Sequence, residues 1–156
     1  PGGFLMARLS GTLQLDAGSV EDQHISSSTK VDADKQQHLY RAWTNFSTAI
    51  GGTPTTREEI VHVVEVAGTI RQFAAMCNDT GTAASVTFDL KKNGTSVLSS
   101  TVAVTNATAD KAVVDGTLSS TAVAVGDVLS IALTVSTSTG MQGPFAYCTI
   151  EENGAP

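Results

Sequence analysis

The stretch that most constrains this chain is Ser85–Ser100, SVTFDLKKNGTSVLSS. Val86, Phe88 and Leu90 alternate with Ser85, Thr87 and Asp89, which is the two-residue period of a strand with one buried face. Lys92-Asn93-Gly94 follows as a hairpin turn, because glycine accepts positive φ without a Cβ clash. Two registers compete. A two-residue Asn-Gly turn sets Leu90 opposite Val97 and puts Leu98 on the wrong face. A three-residue loop with Gly94 left-handed sets Phe88 opposite Leu98 and Ala84 opposite Val102. The second gives both strands one apolar face and is the register the pattern predicts.

Short strands continue on either side of this hairpin. Glu59–Val66 (EIVHVVEV) is apolar on both faces, as expected of an interior strand covered on two sides. Gly68 turns the chain into a strand over Thr69–Cys77, and Asn78–Thr82 is a loop. Thr101–Thr105 continues or restarts the hairpin, Asn106–Asp110 turns, and Ala112–Leu118 is another strand. Val125-Gly126-Asp127 is a tight entry into Val128–Val135, Ser136–Gly143 a loop, and Phe145–Glu151 the last strand. Roughly eight strands with frequent turns predict an all-β sandwich or barrel. The uneven connections favour a jelly-roll-like antiparallel β-sandwich. Only 5% of residues are aromatic and 41% are hydrophobic, so small side chains do most of the filling.

The first third reads differently. Residues 6–34 are rich in Ser, Thr, Asp and Gly, and Leu9, Leu13, Leu15, Val20, Ile25 and Val31 are too few to build a core. The expected organisation is an extended N-terminal arm and junction over 1–54 and a β-sandwich body over 55–156. Met6-Ala7-Arg8-Leu9 looks like a natural start, which makes residues 1–5 upstream material. Leu13–Leu15 with Asp16-Ala17-Gly18 suggests a short strand and turn. Asp32 caps a short helix reaching about His38, and a strand follows until Gly51-Gly52-Thr53-Pro54 breaks it.

Little in the sequence points to catalysis. The formal net charge is −6 and the nine cations are scattered, so nucleic acid is not an expected partner. No run approaches the roughly 20 apolar residues of a membrane span, and the N-terminus lacks a signal-peptide layout. His24, His38 and His62 have no ligand-like spacing, and His62 reads as a hydrogen-bonded core imidazole. Asp32 and Asp34 open like a calcium loop, but Gln37 and Trp43 stand where its glycine and glutamate belong. There is no G-x-S-x-G elbow and no phosphate loop. Glu58, Glu59, Glu65, Glu151 and Glu152 read as edge-protecting charge rather than a glycosidase pair. Cys77 and Cys148 read as buried thiols, with a bridge between neighbouring strands the lesser alternative. The sequons at Asn45, Asn78, Asn93 and Asn106 are expected by chance in a Thr-rich chain. Tyr40, Trp43 and Phe46 either form a subunit contact or close one end of the sandwich. No catalytic residue, metal or cofactor is expected.

Three segments carry a family resemblance. SSTKVDADKQQHLY (Ser27–Tyr40), with Val31, Lys35 and His38, resembles a linker that precedes β-sandwich bodies in tailed-bacteriophage virion proteins. TFDLKKNGTSVLSS (Thr87–Ser100) is similar to that family's D-x-K-K-N-G-x-S hairpin, and LSSTAVAVGDVLSIAL (Leu118–Leu133) to its next element. The linker departs from the family pattern at Tyr40, where a second histidine is frequent. The resemblance implies a capsid decoration (cement) or head-fibre protein on the virion surface, made in the host cytoplasm and often trimeric. It implies the major capsid protein and further copies of this chain as partners. The contact residues expected on this reading are Leu9, Leu13, Leu15, Val20, Ile25, Val31, His38, Tyr40 and Trp43. Two rival expectations are a tail-fibre module reading host glycan through loops 78–82 and 136–143, and a polysaccharide-degrading enzyme.

Overall fold

Two long antiparallel strand pairs carry the architecture, and everything else is added at their edges. The computed structural model describes residues 38–46 and 53–152. Among these residues there is no helix, and ten strands run in chain order. They are β1 (Leu39–Asn45), β2 (Arg57–Val63), β3 (Gly68–Asp79), β4 (Ala83–Lys92) and β5 (Thr95–Ser96), then β6 (Val102–Thr105), β7 (Val114–Asp115), β8 (Ala122–Val123), β9 (Val128–Thr139) and β10 (Gln142–Glu152). The first sheet runs β1-β10-β3, with β7 and β8 both along the far side of β3. The second runs β2-β9-β4, with β5 and β6 both along the far side of β4.

Counting β5 with β6 and β7 with β8 as two interrupted strands leaves eight positions. The chain visits the sheets in the order first, second, first, second, second, first, second, first, which is jelly-roll connectivity. The expected all-β, jelly-roll-like sandwich of about eight strands is therefore the fold. Its core lies between the sheets and is built from alternate residues. Val86, Phe88 and Leu90 of β4 and Leu129, Ile131 and Leu133 of β9 face Ile70, Phe73 and Ala75 of β3 and Ala146, Cys148 and Ile150 of β10.

Several local expectations are corrected. The organising hairpin closes through the two-residue turn, not the three-residue loop: Lys92 pairs with Thr95 and Lys91 with Ser96. Asn93 and Gly94 both take positive φ, 51° and 80°, as a type I′ turn requires. Leu98 is nonetheless buried, because the chain leaves the sheet after Val97. Leu98 bridges Leu118, Ser99 N donates to Thr117 O and Ser119 N donates to Val97 O. The strand then resumes with Phe88 opposite Val102 and Val86 opposite Val104. The two interrupted strands thus bond to each other across the sandwich.

Glu59–Val66 is not an interior strand. β2 pairs only with β9 and stands at an edge, with Ile60 70% exposed. The expected loop 136–143 is mostly strand: β9 runs to Thr139, β10 starts at Gln142, and Gly140 with positive φ makes the turn. The expected strand 112–118 shrinks to Val114–Asp115. The strand expected after residue 38 is β1, and it pairs with β10 from Leu39 to Asn45. The sheet therefore includes residues upstream of 55, inside the segment expected to be junction. The expected arm, its strand and turn at 13–18, the helix from Asp32 and the break at Gly51-Gly52 lie outside the described residues.

Gly81 and Gly94 both have positive φ but differ in surroundings. A Cβ on Gly81 would strike Thr139 O and lie 2.7 Å from Met141 N, whereas one on Gly94 meets nothing within 4 Å. Gly94→Ala should cost about 1 kcal/mol through the left-handed backbone alone. Gly81→Ala should cost clearly more, because backbone must also move. Urea midpoints of the two variants check the order, and equal midpoints would contradict this packing.

Candidate functional site

Because Ala146, Cys148 and Ile150 point inward, Phe145, Tyr147, Thr149 and Glu151 must point outward. The same alternation on β1 sends Tyr40, Ala42 and Phe46 inward and Leu39, Arg41 and Trp43 outward. The pairing registers then assemble rows across the outer face of the first sheet. Trp43, Tyr147 and Ala74 stand abreast, and so do Arg41, Thr149 and Gln72. Trp43 and Phe145 have ring centroids 5.8 Å apart, and Phe145 and Tyr147 6.1 Å apart. The Arg41 guanidinium lies 4.3 Å from the Tyr147 ring centroid, a cation–π contact. The outer face of the second sheet is unlike this. It presents Ser85, Thr87, Thr134 and Ala132, with Glu58 bridging Lys91 and Ser130.

Beside the aromatic row lies an open groove of about 600 Å³, lined by Leu39, Arg71, Gln72, Asp115, Gly116, Thr149 and Glu151. Arg71 pairs with Glu151, and Gln72 Nε2 donates to Asp115 Oδ1 at 2.8 Å. The Arg71 guanidinium holds the Glu151 carboxyl below its ordinary value of 4.5. Thr149 is 9% exposed, and its Oγ1 has no hydrogen-bond partner among the described residues. A buried hydroxyl with no partner loses its hydration without replacement, so this residue stands out on an otherwise satisfied strand.

The structure separates residues that the sequence grouped. Tyr40 and Phe46 belong to the interior side, and Trp43, 58% exposed, to the outer face. The Tyr40 hydroxyl and His62 Nε2 are 2.7 Å apart and link the edge strands of the two sheets. Burial, and then Glu152, push the Tyr40 phenol up, so it stays protonated at neutral pH. His38 Nδ1 lies 3.5 Å from Glu152 Oε2. Leu9, Leu13, Leu15, Val20, Ile25 and Val31 lie outside the described residues. The loops expected to read glycan are tight, internally bonded turns: Thr80 binds Asp110 through its N–H and its hydroxyl, and Thr82 N donates to Thr139 O.

Cys77 and Cys148 are buried free thiols on adjacent strands. Cys148 stands opposite Phe73, four residues from Cys77, which is roughly 13 Å along the strand and beyond disulfide reach. Burial pushes both thiols up to about 12, so neither is a thiolate nucleophile at neutral pH. Among the described residues no three His, Cys, Asp or Glu side chains gather as metal ligands. No protein-family model matches the chain, and no curated protein matches it either.

Two outcomes follow from this geometry. Thr149→Val keeps the β-branched shape and removes the unpaired hydroxyl, so it should raise stability by about 1 kcal/mol, read as a higher urea midpoint with unchanged slope. Acid should act in the other direction. Glu151, Glu58, Asp110 and Asp127 all have lowered values, held respectively by Arg71, Lys91, Thr80 and the Ala124 N–H. The stability they add is complete above their ordinary values and is lost as pH falls through the lowered ones. Carboxyl NMR should show Glu151 titrating below 4.5 and returning toward that value in Arg71→Leu.

Proposed function

We propose that this chain is a non-enzymatic virion structural protein, a capsid decoration protein that binds the major capsid protein through its N-terminal segment and stabilises the shell. The observation that carries this reading is an exposed apolar ridge on the described body. On β2, Ile60 and Val63 point away from the core, 70% and 52% exposed. Val64 N donates to Asp127 O and Gly126 N to Val64 O, which sets the turn carrying exposed Val125 alongside the end of β2. A strand whose sequence suits two-sided cover has cover on one side only, and such patches mark contact surfaces.

The two thiols are locked in the core and kept protonated by burial. The resemblance of the linker, hairpin and Gly-Asp strand segments favours a phage virion role. In this proposal the ridge mediates self-association, as a trimer, and residues 6–34 supply the capsid contact. A weak contact per subunit becomes strong when several copies engage a lattice together. The protein then works mechanically, tying neighbouring capsomers against rupture.

The two parts are tested separately. Ile60→Asp with Val63→Asp should convert the oligomer to monomer in light scattering after size-exclusion chromatography, with the far-UV spectrum unchanged. Deleting residues 6–34 should abolish co-sedimentation with shells of the major capsid protein while leaving the body folded. Retained co-sedimentation would refute the assignment of the arm.

A further inference from the structure

We infer that the groove on the outer face of the first sheet is a binding site for a neutral oligosaccharide. This is a second activity, independent of where the chain sits on a particle. Three observations converge on one patch. The first is the groove itself, an open concavity of about 600 Å³ whose wall carries Arg71, Gln72, Asp115, Thr149 and Glu151.

The second is the chemistry beside it. Arg71 with Glu151 and Gln72 with Asp115 set donors and acceptors side by side in the groove wall. Sugar hydroxyls donate and accept at once, so they can bridge such pairs, whereas a purely anionic or cationic ligand uses half of each. The charges also cancel. Arg41 and Arg71 contribute two positive charges, Glu151 and Asp115 two negative, so the patch sums to zero. That favours a neutral saccharide over a sulfated, phosphorylated or sialylated one.

The third is the aromatic row one step along the sheet. Trp43 is largely exposed, beside Phe145, with Tyr147 in the same row. The C–H faces of a pyranose pack flat on such rings, which have apolar faces. Successive outward residues on a strand are about 7 Å apart, so one sugar beside Thr149 places the next over the row that runs from Tyr147 to Trp43. A concave site with a few convergent polar groups beside aromatic surface is the usual form of a small-ligand site.

The test is an amide-shift NMR titration of the full chain with maltohexaose, cellohexaose and mannohexaose, and with a heparin hexasaccharide as acidic control. The expected result is saturable shifts with at least one neutral sugar, centred on Arg41, Gln72, Tyr147 and Thr149. Gln72→Ala should weaken that binding at least tenfold, and Trp43→Ala should do so independently. Four results would each overturn the proposal: no saturable shifts with any neutral sugar, shifts centred elsewhere, tightest binding by the heparin fragment, or unchanged affinity in both variants. Shifts on this face that follow protein concentration without sugar would assign it to contact between copies and would also overturn it.

Discussion

The surface of this protein is dictated by one internal contact, the clamping of the β3–β10 pair onto the β4–β9 pair. Phe73, Phe88 and Phe46 fill the middle of that contact, with the Phe46 and Phe88 centroids 6.0 Å apart. The remaining core is Val, Leu, Ile, Ala and Cys, with Met141. In a strand, what points inward fixes what points outward. Burying Ala146, Cys148 and Ile150 obliges Tyr147 and Thr149 to stand on the outer face, and burying Ala42 and Phe46 does the same for Trp43. The aromatic row and the groove are consequences of core register, so a one-residue slip of β10 would dismantle both.

The far edge of the sandwich depends on the same clamp by another route. Two strands there, one per sheet, are each interrupted and bond to each other through Leu98 and Leu118. The excursion buries two consecutive residues, Val97 and Leu98. Gly116 permits the close approach: a Cβ there would come within 2.9 Å of Phe73 Cδ1 and of Val102 Cγ2. The edge is thereby closed by backbone hydrogen bonds between sheets, while the opposite edge, β1 and β2, is tied through side chains, Tyr40 to His62 and Arg57 Nη2 donating to Asn45 O.

Much of this was legible in the sequence, and the failures have physical reasons. The alternation of Val86, Phe88 and Leu90, and of Leu129, Ile131 and Leu133, identified the core strands because one side of each is buried. The hairpin register was misread because it assumed both strands stay in one sheet, and the partner that draws Leu98 away is twenty residues downstream. β2 looked interior because composition reports how apolar a strand is, not whether something covers it. Segment 136–143 looked like a loop since Ser and Thr suit turns, yet Ser138 and Thr139 are held by pairing to Ala84 and Ala83. Of the candidate site, Trp43 was visible only as one of three aromatics that either form a subunit contact or close one end of the sandwich. Thr149 was not, since an unpartnered hydroxyl is a property of surroundings.

The two open edge strands constrain how any partner can approach. β2 has a register break between Ile60 and His62 and carries Arg57, Glu58 and Glu59 at its start. Bulges and charges of that kind oppose the addition of a further strand. β1 carries Arg41 on its outer side, already engaged on Tyr147. Partners are therefore directed toward side-chain faces instead of backbone edges: Ile60 and Val63 on one sheet, Trp43 and the groove on the other. These faces belong to opposite layers of the sandwich, so occupation of one leaves the other open. Copies associated through the β2 ridge would still present the groove to whatever passes.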